Sequence, residues 1–496
     1  MNKNLLFFID VAPGSGRGHL VRSLEIINQL KRQYWNLNIV TEKCEPDVYL
    51  DQLKRSSNTF HEITPGNTIL LGSILEIAEK TKSSYVIIDS YKVKFTNVNW
   101  LDQFKIYRII DSPQVTVKGI IDIKIGIRFD LQNTGKEMKV LYPIRKIPRN
   151  KILVKHRQKI LFYFGSEPSQ NAINDVVNII EKLPLAIKIY VYAPNIASKN
   201  GRIIYLNDID PVFNQMSLII GSASNIMYEA TVNNIPMITI STNDSQVNSD
   251  DELLKIGAIF NLSIADLYQS SEVATLICNV LSNINIIKKF TKDCRGNIYP
   301  NSSEFIAMQI GGKEKNTKIE QDLSIYSKNQ LDIRKLELSN INELLKWRNS
   351  NEVRSLMSTT KEISRISHYN WWFENTRSNY VLYVDNKPQL YLWHQLLLEK
   401  DLEIFVGGWM PMSSTLSPFL IIDALNWQLQ LTQSISKDAI WLAIINKHNT
   451  FTNFINDRLG FKKIDDQSEM KTLATQIFNV SSNSDNFFFY QYNFTS

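Results

Sequence analysis

Cysteine is scarce in this chain: Cys44, Cys278 and Cys294 are the only three in 496 residues. An odd number at unrelated spacings excludes a disulfide framework and argues against a zinc site. Long apolar runs are missing too. Nothing approaches the roughly 20 residues of a membrane-spanning helix. The opening run Leu5–Ile9 stops at Asp10, short of the roughly 7–15 residues of a secretory signal. A cytoplasmic protein without a membrane span is expected. Dense Lys/Arg clusters with interleaved aromatics are absent, so no nucleic-acid partner is expected. The net charge of +6 is modest and suits a small anionic ligand such as a nucleotide. No spacing of His, Cys, Asp and Glu suggests a metal site, and no metal is expected. The sequence carries no indication of oligomeric state.

Glycine is thin and unevenly spread. Only three of 18 lie beyond residue 312, whereas seven of nine tryptophans do. A chain of this length exceeds a single core and implies about three units. The shift in composition falls at the polar, aperiodic stretch 311–330, which reads as a linker. The expected units are 1–148, 149–310 and 331–496, the last ending in the aromatic run Phe487-Phe-Phe-Tyr-Gln-Tyr492 as a final strand.

Short apolar runs alternate with amphipathic stretches through the first 310 residues. Leu5–Val11, Asn36–Thr41, Tyr85–Asp89 and Ile106–Asp111 read as strands. Val21–Lys31 reads as a helix with Leu24, Ile27 and Leu30 inward. After a basic connector the pattern restarts. Its strands are Ile160–Phe164, Ile187–Val191, Leu218–Ile220 and Met237–Ile240, and its helices Asn171–Lys182, Ile226–Asn233 and Asp251–Ile256. Two consecutive Rossmann-like α/β domains with parallel sheets follow from this alternation.

The first strand leads into Gly14-Ser-Gly-Arg-Gly-His-Leu-Val-Arg22. Glycines permit close backbone approach to a ligand, and the helix that follows offers free N–H groups to a phosphate. A plain structural turn has the same composition. Two features set this loop apart from a dinucleotide site: a histidine follows the last glycine, and no acidic residue ends the strand Asn36–Thr41. His19 stands at the C-terminal edge of a parallel sheet, where such folds place ligands. Histidine is also the residue type suited to activating water at neutral pH. Arg22, one turn on, suits either a phosphate contact or a solvated helix face.

The stretch Gly16-Arg-Gly-His-Leu-Val-Arg22 resembles the opening motif of UDP-sugar hydrolases of pseudaminic acid biosynthesis. These are relatives of the MurG-type glycosyltransferases and the spore-coat SpsG group, all of the glycosyltransferase-B architecture. The resemblance extends through Val86-Ile-Ile-Asp-Ser-Tyr91 and Ile160-Leu-Phe-Tyr-Phe-Gly-Ser166. It implies that His19 is the catalytic base, that Tyr91 lies in the same cleft, and that a UDP-sugar is the substrate. It further implies nucleotide or phosphate contacts from Gly16, Arg17, Gly18, Arg22, Gly165 and Ser166.

In Leu218-Ile-Ile-Gly-Ser-Ala-Ser-Asn-Ile-Met-Tyr-Glu-Ala-Thr231, Ser222, Ser224 or Asn225 can cap a helix whose start again suits phosphate. Glu229 sits one turn in, and the family's arrangement implies that it holds the ribose hydroxyls. The loop after Ile235-Pro-Met-Ile-Thr-Ile-Ser241 carries Asn243, Ser245 and Gln246 as sugar-binding candidates. The reaction expected is hydrolysis of a UDP-linked diacetamido-trideoxy sugar with release of UDP. A glycosyltransferase with a sugar acceptor and a non-catalytic nucleotide-sugar scaffold are the alternatives. Neither Rossmann-like domain is expected to need a cofactor.

From Leu331 onward, Asn342-Glu-Leu-Leu-Lys-Trp-Arg-Asn349, Ile366-Ser-His-Tyr-Asn-Trp-Trp-Phe373 and Asn449-Thr-Phe-Thr-Asn-Phe-Ile-Asn-Asp-Arg-Leu-Gly-Phe461 resemble GNAT acetyltransferases. The nearest in pattern is the pseudaminic-pathway N-acetyltransferase. An α+β domain is implied. The segment Trp409-Met-Pro-Met-Ser-Ser-Thr-Leu-Ser-Pro418 stands where that family has a glycine-bearing pyrophosphate loop, and it has no glycine. Asn456 stands where the family commonly has tyrosine. A domain that no longer transfers acetyl groups from acetyl-CoA is expected.

Overall fold

The structure, a computed structural model, describes residues 3–11, 18–44, 48–66, 68–95, 103–126, 132–133, 138–144, 158–165, 169–194, 202–241, 250–299, 301–311, 331–357, 359–480 and 484–494. It divides into two compact units, Met1–Gln321 and Asp322–Ser496.

The first unit holds two parallel six-stranded sheets of the same order. Strands β1 (Lys3–Ile9), β2 (Trp35–Glu42), β3 (Thr59–Ile63), β4 (Tyr85–Asp89), β5 (Lys105–Ile110) and β6 (Ile120–Lys124) lie as β3-β2-β1-β4-β5-β6. Strands β7 (Lys159–Tyr163), β8 (Lys188–Tyr192), β9 (Ile203–Leu206), β10 (Leu218–Ser222), β11 (Met237–Ser241) and β12 (Phe260–Ser263) lie as β9-β8-β7-β10-β11-β12. Both orders reverse direction beside the first strand of the sheet, the position where doubly wound folds bind ligands. The expected α/β class with two Rossmann-like sheets is met. Central strands such as β1 are apolar on both faces because helices cover both sides, and Leu5 to Ile9 are fully buried.

Helix α1 (Gly18–Arg32) follows β1, and α2 (Asn225–Val232) follows β10. Leu24, Ile27 and Leu30 face inward as expected. One apolar core runs from Phe7 and Ile27 of the first sheet to Ile219 and Met227 of the second. Helix α3 (Ser302–Ile310), at the end of the unit, returns to pack on α1. There the Tyr107 hydroxyl donates to the carbonyl of Ile310 at 3.2 Å.

One sequence expectation fails in a way that matters for ligand choice. Strand β2 runs one residue further than Thr41 and ends on an acidic residue, Glu42. Its carboxylate is fully buried and engaged on both oxygens: Oε1 accepts from the Gly66 amide at 3.0 Å, and Oε2 meets Lys92 Nζ at 3.1 Å. The residue is a structural ion-pair partner and offers no ribose contact.

The second unit is built on one seven-stranded sheet. Strands β13 (Asp332–Lys335), β14 (Ser378–Val384), β15 (Lys387–Glu399), β16 (Leu402–Pro411), β17 (Ile440–Asn446), β18 (Lys462–Lys463) and β19 (Phe487–Asn493) lie as β13-β14-β15-β16-β17-β19-β18. All pairs are antiparallel except β16 with β17, whose parallel register covers only Ile404–Val406 against Ile440–Leu442. The aromatic tail is a strand, β19, with Phe487, Phe489 and Tyr490 buried. A correction applies at residues 409–418, read from sequence as a loop. Trp409, Met410 and Pro411 continue β16, and the next helix already begins at Pro418. Proline is acceptable at that first helical position because its missing N–H would have no intrahelical partner.

Candidate functional site

The two helix starts of the first unit meet. A Cβ placed on Gly18 would lie 2.5 Å from Asn225 Nδ2, so the start of α1 packs directly against the Asn225 side chain at the start of α2. The N-termini of both helices, with their positive dipole ends, therefore converge on one place at the C-terminal edges of the two sheets.

His19 is the second residue of α1 and is only 4% exposed. Its Nδ1 lies 3.0 Å from the Asp89 carbonyl oxygen and 3.1 Å from Asp89 Oδ1. Two acceptors on that side place the ring proton on Nδ1, leaving the lone pair on Nε2, which lies 3.4 Å from Arg22 Nη2. Arg22, one turn along α1, forms a fork on the same carboxylate, with Nε 2.9 Å from Oδ2 and Nη2 2.5 Å from Oδ1. Its Nη1 reaches Asp111 Oδ2 at 2.6 Å, and Ser23 Oγ donates to Asp89 Oδ2 at 2.8 Å. Tyr91 donates its hydroxyl to Asp111 Oδ1 and sets its ring edge-on to the imidazole at 5.0 Å.

The electrostatics follow from this packing. Burial would raise the Asp89 carboxyl, but the Arg22 guanidinium and then His19 override it and hold it well below the usual carboxylate range. Asp111 is held low in the same way, against burial, by Arg22 and the Tyr91 hydroxyl. For Arg22, burial pulls down and the Asp89 charge more than restores it. Burial and the Asp111 charge push the Tyr91 phenol above its ordinary value, so it stays protonated and acts as a donor. Two carboxylates, Asp89 and Asp111, thus face one guanidinium.

A second tyrosine continues the network. Tyr142 donates its hydroxyl to Asn225 Oδ1 and stacks on Tyr228 of α2, with ring centroids 3.9 Å apart. Burial pushes its phenol up, opposed by the charge of nearby Arg22. A polar path thus runs from His19 through Asp89, Arg22 and Tyr142 to Asn225.

Of the residues expected from sequence, His19, Arg22 and Tyr91 are brought together on the α1 side, with Gly18 at the junction. Ser222, Ser224, Asn225 and Glu229 lie at or in α2. Ser224 holds the cap position of α2 but makes no side-chain cap bond; its hydroxyl lies 3.3 Å from that of Ser222. The side-chain capping expected there is not made, because the two serines face each other, and the helix start keeps donors for an anion. Glu229 is 4% exposed and not a surface glutamate. Gly165 follows β7 with φ +93°, a conformation that glycine supplies without strain. Gly16, Arg17, Ser166, Asn243, Ser245 and Gln246 lie outside the described residues. Among the described residues no three His, Cys, Asp or Glu side chains are grouped to hold a metal. No helix of the described residues is long and apolar enough to cross a membrane.

Sequence reasoning missed Asp89, Asp111 and Tyr142. Asp89 had a signal, a carboxylate closing the apolar run Val86-Ile-Ile, since a charge at the end of a buried strand needs a partner. Tyr142 had none.

No protein-family model and no curated protein matches the chain. Among solved structures, the chain is similar to a glycotransferase of kitacinnamycin, with 12% identity over 63% of this chain and 99% of that one, at a TM-score of 0.47. It is similar to MurG of Acinetobacter baumannii, with 15% identity over 62% and 99% of the two chains, at 0.41. It is also similar to the spinosyn rhamnosyltransferase SpnG complexed with thymidine diphosphate, with 11% identity over 62% and 99%, at 0.41.

Proposed function

We propose that the first unit hydrolyses a UDP-linked sugar, releasing UDP, with His19 as the general base. The observation that carries this reading is the orientation of His19. Asp89 takes up Nδ1, which leaves Nε2, 3.4 Å from Arg22 Nη2, as the ring nitrogen able to take a proton. His19 Nε2 takes a proton from water as the water oxygen bonds to the anomeric carbon. The bond from that carbon to the UDP oxygen breaks, and UDP leaves with the bonding pair. The starts of α1 and α2 face the diphosphate as its charge grows. Asp89 faces the positive charge that appears on His19, the role of an orienting carboxylate in a base–carboxylate pair. Glu229, buried in α2, serves the ribose, as the family resemblance implies, and the sugar is of the diacetamido-trideoxy type. The 4% exposure of His19 favours water, the smallest nucleophile.

Glycosyl transfer to a sugar hydroxyl is the second reading. It is favoured by Tyr91, 53% exposed beside His19, which offers an acceptor a surface to lie on. The test follows UDP release from UDP-sugars in ¹⁸O-labelled water, with and without sugar acceptors. Hydrolysis puts the label in the free sugar without any acceptor; release that waits for an acceptor selects transfer.

For the second unit we infer a GNAT-type domain without acetyl transfer. Strand β16 runs on through Pro411, and the five residues Ser413–Ser417 before the helix contain no glycine to shape a pyrophosphate loop.

A further inference from the structure

Helix α4 (Arg365–Glu374) of the second unit, the Asn375–Arg377 turn before β14 and Gln395 of β15 line an open pocket of about 360 Å³, toward the small end of ligand pockets. Ser367, Trp371, Thr376, Arg377 and Gln395 contribute to its wall. The guanidinium of Arg377 lies flat against Trp393, 3.8 Å from the ring centroid, and 6.0 Å from that of Trp371. Partial burial draws Arg377 below the ordinary arginine range, with only the Tyr391 hydroxyl opposing. None of its contacts among the described residues is to a carboxylate. A desolvated, stacked guanidinium with unspent donors is the side chain that takes a carboxylate or phosphate in a planar fork.

The other walls describe the rest of the ligand. Gln395 Nε2 donates to Thr376 Oγ1 at 3.0 Å, which leaves the Gln395 carbonyl oxygen as an acceptor and the Thr376 hydroxyl as a donor. Ser367 Oγ accepts from Ser364 at 2.8 Å and keeps its own proton. The Trp371 indole adds an apolar surface for ring C–H groups. Hydroxyl-matching groups beside an indole suit a sugar ring. One positive charge, with the Glu374 carboxylate also lining the space, suits a single negative charge and opposes a dianion.

We propose that this cavity binds a monosaccharide bearing one carboxylate, with Arg377 holding that group. The test is calorimetry on the full chain with glucuronate, galacturonate and mannuronate, using glucose, acetate and glucose 6-phosphate as comparison ligands. At least one uronate binds at about 10 µM to 1 mM, and glucose and acetate bind at least about tenfold more weakly. Arg377→Gln lowers uronate affinity at least about tenfold, a change in binding free energy of about 1.4 kcal/mol, and Arg377→Lys by less, because charge without the fork is retained. Gln395→Leu, which leaves the guanidinium in place, also weakens binding and serves if Arg377→Gln fails to fold. The assignment is overturned if no uronate binds up to about 10 mM, if glucose binds as well, if the phosphate binds more tightly, or if folded Arg377→Gln binds normally.

Discussion

The Nδ1 of His19 meets Asp89 twice, at 3.0 Å to its backbone carbonyl and at 3.1 Å to its carboxylate. Two contacts from one residue fix both the plane of the imidazole and its tautomer. The ring cannot turn its bare nitrogen away without losing both.

His19→Asn should lower UDP release by a factor of the order of 10²–10⁴, the usual worth of an acid–base group. UDP binding measured by calorimetry should persist, since the helix starts and Glu229 are untouched. Activity near wild type would remove His19 from the chemistry.

Asp89→Asn leaves Arg22 buried with half its fork unanswered. Removing one partner of a buried pair costs about 3–5 kcal/mol, so urea unfolding of the first unit should move to clearly lower denaturant. An unchanged midpoint would mean that Asp111 alone can carry the guanidinium.

Glu229→Ala should weaken UDP affinity by about 1.5–3 kcal/mol, the loss expected for hydrogen bonds to a charged group. Calorimetry with UDP is the measurement, and unchanged affinity would place the ribose elsewhere.

Acid should act on the two units in different windows. In the second unit, burial pulls His368 and His394 down to about 4. The unfolded histidines bind protons below about pH 6.5, so stability from these two groups is present above that pH and lost as pH falls toward 4. In the first unit, Asp89 and Asp111 are held low, so their contribution is lost only below about pH 4. Seven of nine tryptophans lie beyond residue 312, so the denaturation midpoint followed by tryptophan fluorescence should already fall between pH 6.5 and 5. A midpoint that holds steady down to pH 4 would contradict this. His394 sharpens the case, because neither ring nitrogen has a hydrogen-bond partner.

Calorimetry with acetyl-CoA should show no micromolar binding to the full chain, and 4-amino UDP-sugars should not be acetylated. Binding together with turnover would make the second unit an active acetyltransferase.

How much of this was legible beforehand depends on where a residue sits in its sheet. The strands read from sequence in the first unit, such as Tyr85–Asp89, are buried apolar runs. The four missed from the two six-stranded sheets, β3, β6, β9 and β12, are all sheet edges. At an edge the apolar signal thins, as in β3 with Thr59, His61 and Glu62. Glu42 fell outside the strand read as Asn36–Thr41, and its partner Lys92 lies 50 positions away. Site residues inside one local motif, His19 and Arg22, could be picked out. For Asp89 and Asp111 the partner was hidden, since their bonds to Arg22 span 67 and 89 positions.

The fit at Gly18 also governs how substitutions travel through the first unit. A methyl group there would press on Asn225 Nδ2, at the far end of a side chain whose Oδ1 accepts from the Tyr142 hydroxyl. Tyr142 in turn leans on Tyr228. The starts of α1 and α2 thus share one small contact, in which the size of residue 18 sets the room left to the Asn225 side chain.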